Sequence, residues 1–194
     1  MTKPVAKQGE AMTGTDARVL PVGHDSSRLK ASIGKSEIES REVRPLDFSA
    51  AMSVREARDQ YFAKHGLCAA DYEKRLFITK VGFVPVPFPN PGLFHLHDLH
   101  HVATGFSTDT IGEAEISVFE LRAGCRGFLV HLLCISVVFM VLFVAPRRLL
   151  RSFRRSRGAR TLYFDPTPYG ALLEMTVGEL RAKLALPPDG LAHP

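Results

Sequence analysis

Cysteine is scarce. Cys68, Cys125 and Cys134 are the only three, and none stands in a CxxC pair. An odd count without paired spacing excludes a disulfide framework and a cysteine-based zinc site, and a reducing compartment is the expectation. The opening MTKPVAKQGEAMTGT has no apolar run, so no secretory signal peptide is read there. Aromatic residues are missing before Phe48. That stretch, rich in Ser, Thr, Gly, Ala, Lys and Glu, cannot bury enough apolar surface to offset ordering, and residues 1–50 are expected to form a mobile leader. No internal repeat and no convincing alternating strand stand out, which predicts an all-α fold. Neither a helix-turn-helix signal nor a glycine-rich stacking motif accompanies the basic residues, so nucleic acid is not an expected partner.

What is present fits one globular domain. The chain has 194 residues, 45% of them apolar and 23% charged, with a net charge of +5. Its mean hydropathy of +0.02 is high for a soluble domain. A helical domain is expected over 51–188, with 189–194 as a tail. Ser53 and Glu56 make a capping box, and Gly66 stops the helix that follows. A second helix is expected from about Ala69 to Lys80. The alternating prolines of VPVPFPNPG (Pro85, Pro87, Pro89, Pro91) forbid helix and central strand and favour an extended, polyproline-like connector. Asn90 and Pro91 then read as N-cap and first residue of a helix reaching Thr104 before Gly105. Another begins near Asp109 or Thr110 and runs to about Ala123. Thr176 and Glu179 form a further capping box ahead of a closing amphipathic helix that ends at Pro187.

Acidic residues are absent from Leu121 to Phe164, a stretch that holds nine arginines. The rest of the chain has 16 basic against 20 acidic residues, so the positive charge is local. It adjoins Phe128–Ala145, FLVHLLCISVVFMVLFVA, whose only polar members are His131 and Ser136. As a helix these residues would span about 27 Å, the lower edge of a bilayer crossing. Burial, or partial embedding, is expected rather than a true span. An apolar helix joined to an arginine cluster suits an anionic membrane surface, or the phosphate or carboxylate of a lipid-like ligand. Arg147 and Arg148 are candidates for holding an anionic head group, though arginines facing lipid phosphate would look the same. Met140, with its flexible thioether, is a candidate for lining a lipid cavity.

The richest chemistry lies in LFHLHDLHHVATGFSTDTIGE. At about 100° per residue, His97 and His101 lie about 40° apart on successive turns, with Asp98 about 60° from His101. Eleven residues, including Gly105 and a turn-prone Ser107-Thr108-Asp109, separate His101 from Glu113. The chain can reverse there, and Glu113 would then face the first helix. Two imidazoles and two carboxylates suit a divalent metal: zinc, with iron, manganese or cobalt as alternatives. Other readings stay open. His97 and His101 could be polar residues on a half-buried face. Thr110 with Glu113 is itself a capping box, and Asp109 is a candidate N-cap.

HDLHH, eleven residues and Glu match the HDxxH–x11–E signature of the fourth Coq protein of ubiquinone biosynthesis. The wider block HDLHHVATGFSTDTIGEAEISVFEL resembles that family, as do Arg160 before a Leu-Tyr pair, Glu174 and GELRAKLAL. The likeness covers about Val54 to Leu186. It implies an all-helical, membrane-associated fold with a metal held by His97, Asp98, His101 and Glu113. It also implies a long apolar cavity for a polyprenyl tail. The reaction implied is loss of the ring C1 carboxyl of a polyprenylated hydroxybenzoate, coupled to hydroxylation at that carbon. Asp98 or Glu113, displaced from the metal, could serve as a base. Other quinone-biosynthesis proteins are implied as partners. His100 departs from the pattern, standing where the family often has Trp. Two further classes are carried: a non-catalytic lipid-binding or scaffold protein with a structural metal, and an HD-type phosphohydrolase, which would need His65 and Asp165 in the site.

Overall fold

In the computed structural model, the described backbone comprises residues 45–66, 77–81, 84–88 and 92–193, and the described side chains are those of 45–66 and 92–193. The first 44 residues, most of the expected leader, lie outside the described residues, as do Cys68 and the proposed Asn90-Pro91 cap. The elements in order are α1 (Val54–His65), β1 (Phe77–Val81), β2 (Val84–Phe88), α2 (Gly92–Thr104), α3 (Thr110–Ala123), α4 (Phe128–Leu142), α5 (Pro146–Arg155), a 3-10 turn (Leu162–Phe164), α6 (Tyr169–Leu173) and α7 (Val177–Lys183).

The fold is mostly helical, as the sequence predicts, with one exception. β1 and β2 form an antiparallel pair, Phe77 opposite Phe88 and Val81 opposite Val84. The helix expected to end at Lys80 is therefore a strand over its last residues, and residues 69–76 lie outside those described. The prolines do not prevent pairing, because Pro85 and Pro87 face Lys80 and Ile78 at alternate positions. In an antiparallel ladder alternate residues exchange no hydrogen bonds, so donors missing on one parity are tolerated in an edge strand.

Local signals fix the helix ends. The Ser53 hydroxyl accepts from the Glu56 N–H at 3.1 Å, and Gly66 closes α1 in the left-handed region (φ 65°). At α7 both halves of the capping box form. The two capped starts also meet: Val54 N–H donates to the Met175 carbonyl and Val177 N–H to the Met52 carbonyl, each at 2.8 Å.

The main core gathers one face each of α1, α2 and α3 with the carboxyl-terminal elements. Val54, Leu99, Ile116, Phe119, Leu172 and Leu180 are all fully enclosed. Leu46 and Phe48, within the stretch read as leader, are buried in it, and so is Leu191 of the expected tail. Arg181 of α7 is buried and donates to the carbonyls of Ala103 (3.0 Å) and Pro188 (2.7 Å), satisfying the last turn of α2. Leu191 and Ala192 N–H groups both donate to the Thr104 carbonyl. These contacts anchor α2, the helix that carries the histidines.

On its other side α3 packs against α4 and α5 through Ile111, Ala114, Val118, Val141, Ala145 and Leu149. α4 covers 15 residues, about 22 Å of helix. No helix among the described residues is long and apolar enough to cross a membrane. Only Val130, Cys134 and Val141 of α4 are buried, so of the two expectations, burial or partial embedding, plain burial in the core is not what this helix shows.

Candidate metal centre

α2 presents His97 and His101 one turn apart. Five residues then reverse the chain, and α3 begins with Asp109 as its N-cap, accepting from Ile111 N–H (2.8 Å) and Gly112 N–H (3.0 Å). Because Asp109 caps the helix, Glu113 has no capping duty, and the capping-box explanation for it falls. Gly112 allows the turn to close: a Cβ built there would stand 2.1 Å from the Ser107 carbonyl oxygen. Gly105, at φ 79°, ends α2 in the left-handed region that favours glycine.

The result is a cluster of three potential ligands, His97, His101 and Glu113. The two Nε2 atoms lie 3.2 Å apart. Glu113 Oε1 is 3.3 Å from His101 Nε2, and its Oε2 is 3.4 Å from His97 Nε2. Ligands at about 2.0–2.1 Å from a tetrahedral ion stand about 3.3–3.4 Å from one another, so the three edges already have that size. The tautomers agree. His97 donates its Nδ1 hydrogen to Glu120 at 2.8 Å, and His101 donates its own to the Phe106 carbonyl at 3.0 Å. With those hydrogens directed outward, each ring turns its Nε2 inward beside a carboxylate. Three acceptors converging in this way require a cation among them, a proton or a metal ion.

Glu120 is the residue that the sequence reading missed. Its side chain is 1% exposed. One oxygen accepts from His97 Nδ1 (2.8 Å), His100 Nδ1 (2.8 Å) and Tyr163 OH (2.7 Å), and the other lies 3.6 Å from Cys134 Sγ. Burial alone would raise its carboxyl, but the His97 charge and the hydrogen bonds from His100 and His97 outweigh it and hold the group well below the usual carboxylate range. A carboxylate behind a ligating imidazole fixes ring and tautomer and raises basicity, the usual support of a metal-binding histidine. The available signal was position: Glu120 follows Glu113 by seven residues, about 20° around the same helix face.

His97 is pulled down by burial yet ends well above the ordinary histidine value, because Glu120 and Glu113 flank it. In Glu113, burial acts upward but the His101 charge and the hydrogen bonds from His101 and His97 take the carboxyl to about 2. His100 is lowered, burial prevailing over Glu120, and stays neutral. Its Nε2 accepts from Leu162 N–H at 2.9 Å, a role that Trp could not fill in the same way.

Asp98, the fourth expected ligand, is directed elsewhere. It is buried, and its Oδ1 accepts from Tyr61 OH at 3.3 Å. Tyr61 in turn stacks on the His101 ring, centroids 5.7 Å apart. The structure brings three of the four together and sets Asp98 behind them. Arg148 binds Glu115 through two bonds, one of 3.0 Å from Nε, and Ser152 donates to the Glu115 carbonyl at 2.7 Å. Its guanidinium clamps α5 to α3 instead of waiting for a head group. Arg147 is exposed and lines an arginine groove on α5. Met140 is 45% exposed on α4. Asp165, needed for a phosphohydrolase, is turned to Lys183 Nζ (3.0 Å) and Thr167 N–H (2.8 Å).

No protein-family model, no curated protein and no solved structure matches the chain.

Proposed function

We propose that this chain is a metal-dependent protein of the kind represented by the fourth Coq family of ubiquinone biosynthesis, acting on the aromatic head group of a polyprenylated hydroxybenzoate. One observation carries the reading: the two imidazoles and the glutamate of the HDxxH–x11–E signature converge with tetrahedral-edge spacing, each inner nitrogen freed by a bond on the far side of its ring. His97, His101 and Glu113 would hold the ion. Zinc suits two imidazoles and a carboxylate, and iron, manganese and cobalt share that preference. When bound, a divalent ion supplies a Lewis acid that draws electron density from a coordinated carboxylate or phenolate oxygen.

The chain's own residues prepare that site. Glu120 and the Phe106 carbonyl orient the two rings. Glu113 is half-buried, and once displaced from the ion its carboxylate would be free to accept a proton during the chemistry. Loss of the ring carboxyl with hydroxylation at the same carbon is a two-electron oxidation; with O₂ as oxidant it balances as ring carboxylic acid, water and O₂ giving phenol, carbon dioxide and hydrogen peroxide. Zinc has no redox change to offer, so either a redox-active ion or direct reaction of the electron-rich ring with O₂ is needed. Among the described residues, the exposed apolar face of α4 offers a surface for a polyprenyl tail.

The test is turnover of a prenylated hydroxybenzoate by metal-stripped and metal-restored protein, followed as carbon dioxide release and product mass. Activity that returns with the metal is expected. Lipid retention without turnover at any metal loading would support the second reading, a lipid-binding scaffold with a structural metal.

A further inference from the structure

The loop that joins α3 to α4 carries Cys125, and the second turn of α4 carries Cys134. The two thiols meet in one small cluster with Val130 and Tyr163, and their side chains are hydrogen-bonded to each other. Neither is in a disulfide. The pair stands outside the metal cluster yet is joined to it: Cys134 Sγ lies 3.6 Å from Glu120 Oε2, and Glu120 holds the His97 ring. The two sulfurs are not equivalent. The bond from Cys134 prevails over burial and holds the Cys125 thiol below its ordinary value, whereas the bond to Cys125 and burial both raise Cys134. Thiolate is the nucleophilic form of cysteine, so Cys125 is the reactive member and Cys134 the protonated one beside it. We propose that Cys125 and Cys134 form a redox site that a hydroperoxide closes to a disulfide, Cys125 attacking the peroxide and Cys134 completing the bond.

The step balances with the hydroperoxide as oxidant. The Cys125 thiolate attacks the terminal peroxide oxygen and the O–O bond breaks. The leaving oxygen takes up the proton that the Cys125 thiol had given up, which yields a sulfenic acid and an alcohol, or water from hydrogen peroxide. The Cys134 sulfur then attacks the sulfenic sulfur. The S–O bond breaks, and the departing hydroxide leaves as water with the Cys134 proton. The two thiols lose two electrons and the peroxide gains them. The loop can make the short movement that a disulfide requires. Arg126, Gly127, Phe128 and Leu129 are all exposed, and nothing lies within 4 Å of a Cβ built on Gly127. Cys125 is 8% exposed against 3% for Cys134, so a small opening of that loop admits the peroxide to Cys125 first. Closure takes the Cys134 hydrogen away from Glu120, so oxidation is felt directly behind His97. Hydrogen peroxide is the product of the O₂-dependent reaction balanced above, but the site stands on the thiol geometry and does not depend on that reading.

The test treats the reduced full chain with one equivalent of hydrogen peroxide, alkylates the remaining thiols and digests with trypsin. Arg126 lies between the two cysteines, so the protease separates them, and only a disulfide keeps their peptides together in the mass spectrum. Free thiols should fall from three to one as two are joined, with Cys68 the one alkylated. Dithiothreitol should restore all three. Cys134→Ala should stop at a sulfenic acid on Cys125, captured by dimedone, with no linked peptide. Cys125→Ala should leave Cys134 to be alkylated as a thiol. Far-UV circular dichroism checks folding, and if either variant unfolds, the peptide map of the parent chain decides alone. Three thiols surviving the peroxide in folded protein, dimedone on Cys134 in place of Cys125, or a disulfide that joins either one to Cys68 would each overturn the proposal.

Discussion

The Nε2 atoms of His97 and His101 face each other at 3.2 Å, while each ring gives its Nδ1 hydrogen away, one to Glu120 and the other to the Phe106 carbonyl. Imidazoles held in this way repel unless a cation lies between them. His97→Ala and His101→Ala should therefore each reduce metal content well below one ion per chain in protein refolded with zinc. Glu113→Gln should do the same without loosening α3, because Asp109 caps that helix. Full metal content in Glu113→Gln, measured by elemental analysis, would remove the site.

Asp98→Asn separates the ligand role that the family signature implies from the position seen here. With Tyr61 OH as its partner, the carboxylate buttresses the ring stacked on His101. Near-stoichiometric metal is expected in Asp98→Asn, with a loss of about 1 kcal/mol in stability from a weakened buried hydrogen bond. Complete loss of metal from a folded variant would return Asp98 to the ligand set.

Glu120→Gln should weaken metal binding by about 10- to 100-fold, the usual effect of removing the carboxylate behind a ligating histidine. The metal-free protein should also lose about 3 kcal/mol, since His97, His100 and Tyr163 would all face a group that no longer bears charge. Tyr163→Phe removes one of those donors and should cost about 1 kcal/mol with little change in metal affinity. Competition with a chromophoric chelator and thermal melts measure the two effects.

These residues also show how far the sequence reached. The turn between α2 and α3 was legible because its signals are local: Gly105 stops one helix, Asp109 caps the next, and the spacing of His97, His101 and Glu113 follows. Glu120 was not, because its meaning comes from Tyr163 and from rings on another helix. Asp98 lies on the metal side of a helical wheel, yet a tyrosine from α1, 37 positions earlier, claims it. In α4 every face is apolar, so periodicity could not say which side would be covered; packing on α3 decides it. Alternating prolines read as polyproline because one strand gives no hint that the segment before it supplies a partner in register.

Stability should depend on pH in opposite senses on either side of the cluster. The Glu113 and Glu120 carboxyls are depressed in the folded chain, Glu113 to about 2. Their contribution is present above their unfolded value of about 4.5 and is lost as pH falls toward the folded values. His97 is raised, so its contribution is full below about 6.5 and is lost as pH climbs through the folded value. Metal-free protein should melt highest between these limits and lower on both flanks. Metal takes the place of the His97 proton, so loaded protein should keep its melting temperature on the alkaline flank and lose it first in acid. Melts with chelator and with zinc across pH 3–9 test this, and a metal-free protein indifferent to pH above 6.5 would contradict the assignment of His97.

Gly112 links backbone packing to the metal site most directly. It immediately precedes Glu113, and a Cβ there would stand 2.1 Å from the Ser107 carbonyl oxygen and 2.3 Å from its hydroxyl. Gly112→Ala must push the α2–α3 turn off the first turn of α3, a strain of about 1–3 kcal/mol by analogy with overpacked cores. The displacement would move Glu113 relative to His101, with which it is in contact at 3.3 Å. Both the melting temperature and metal affinity should therefore fall. Gly170→Ala provides the control: nothing lies within 4 Å of its Cβ position, and it sits in α6. That variant should gain up to about 1 kcal/mol from helix propensity and leave metal affinity untouched. If Gly112→Ala lowers the melting temperature but binds zinc as tightly as the parent chain, the turn supports the fold alone, and Glu113 reaches the histidines through its own side-chain freedom.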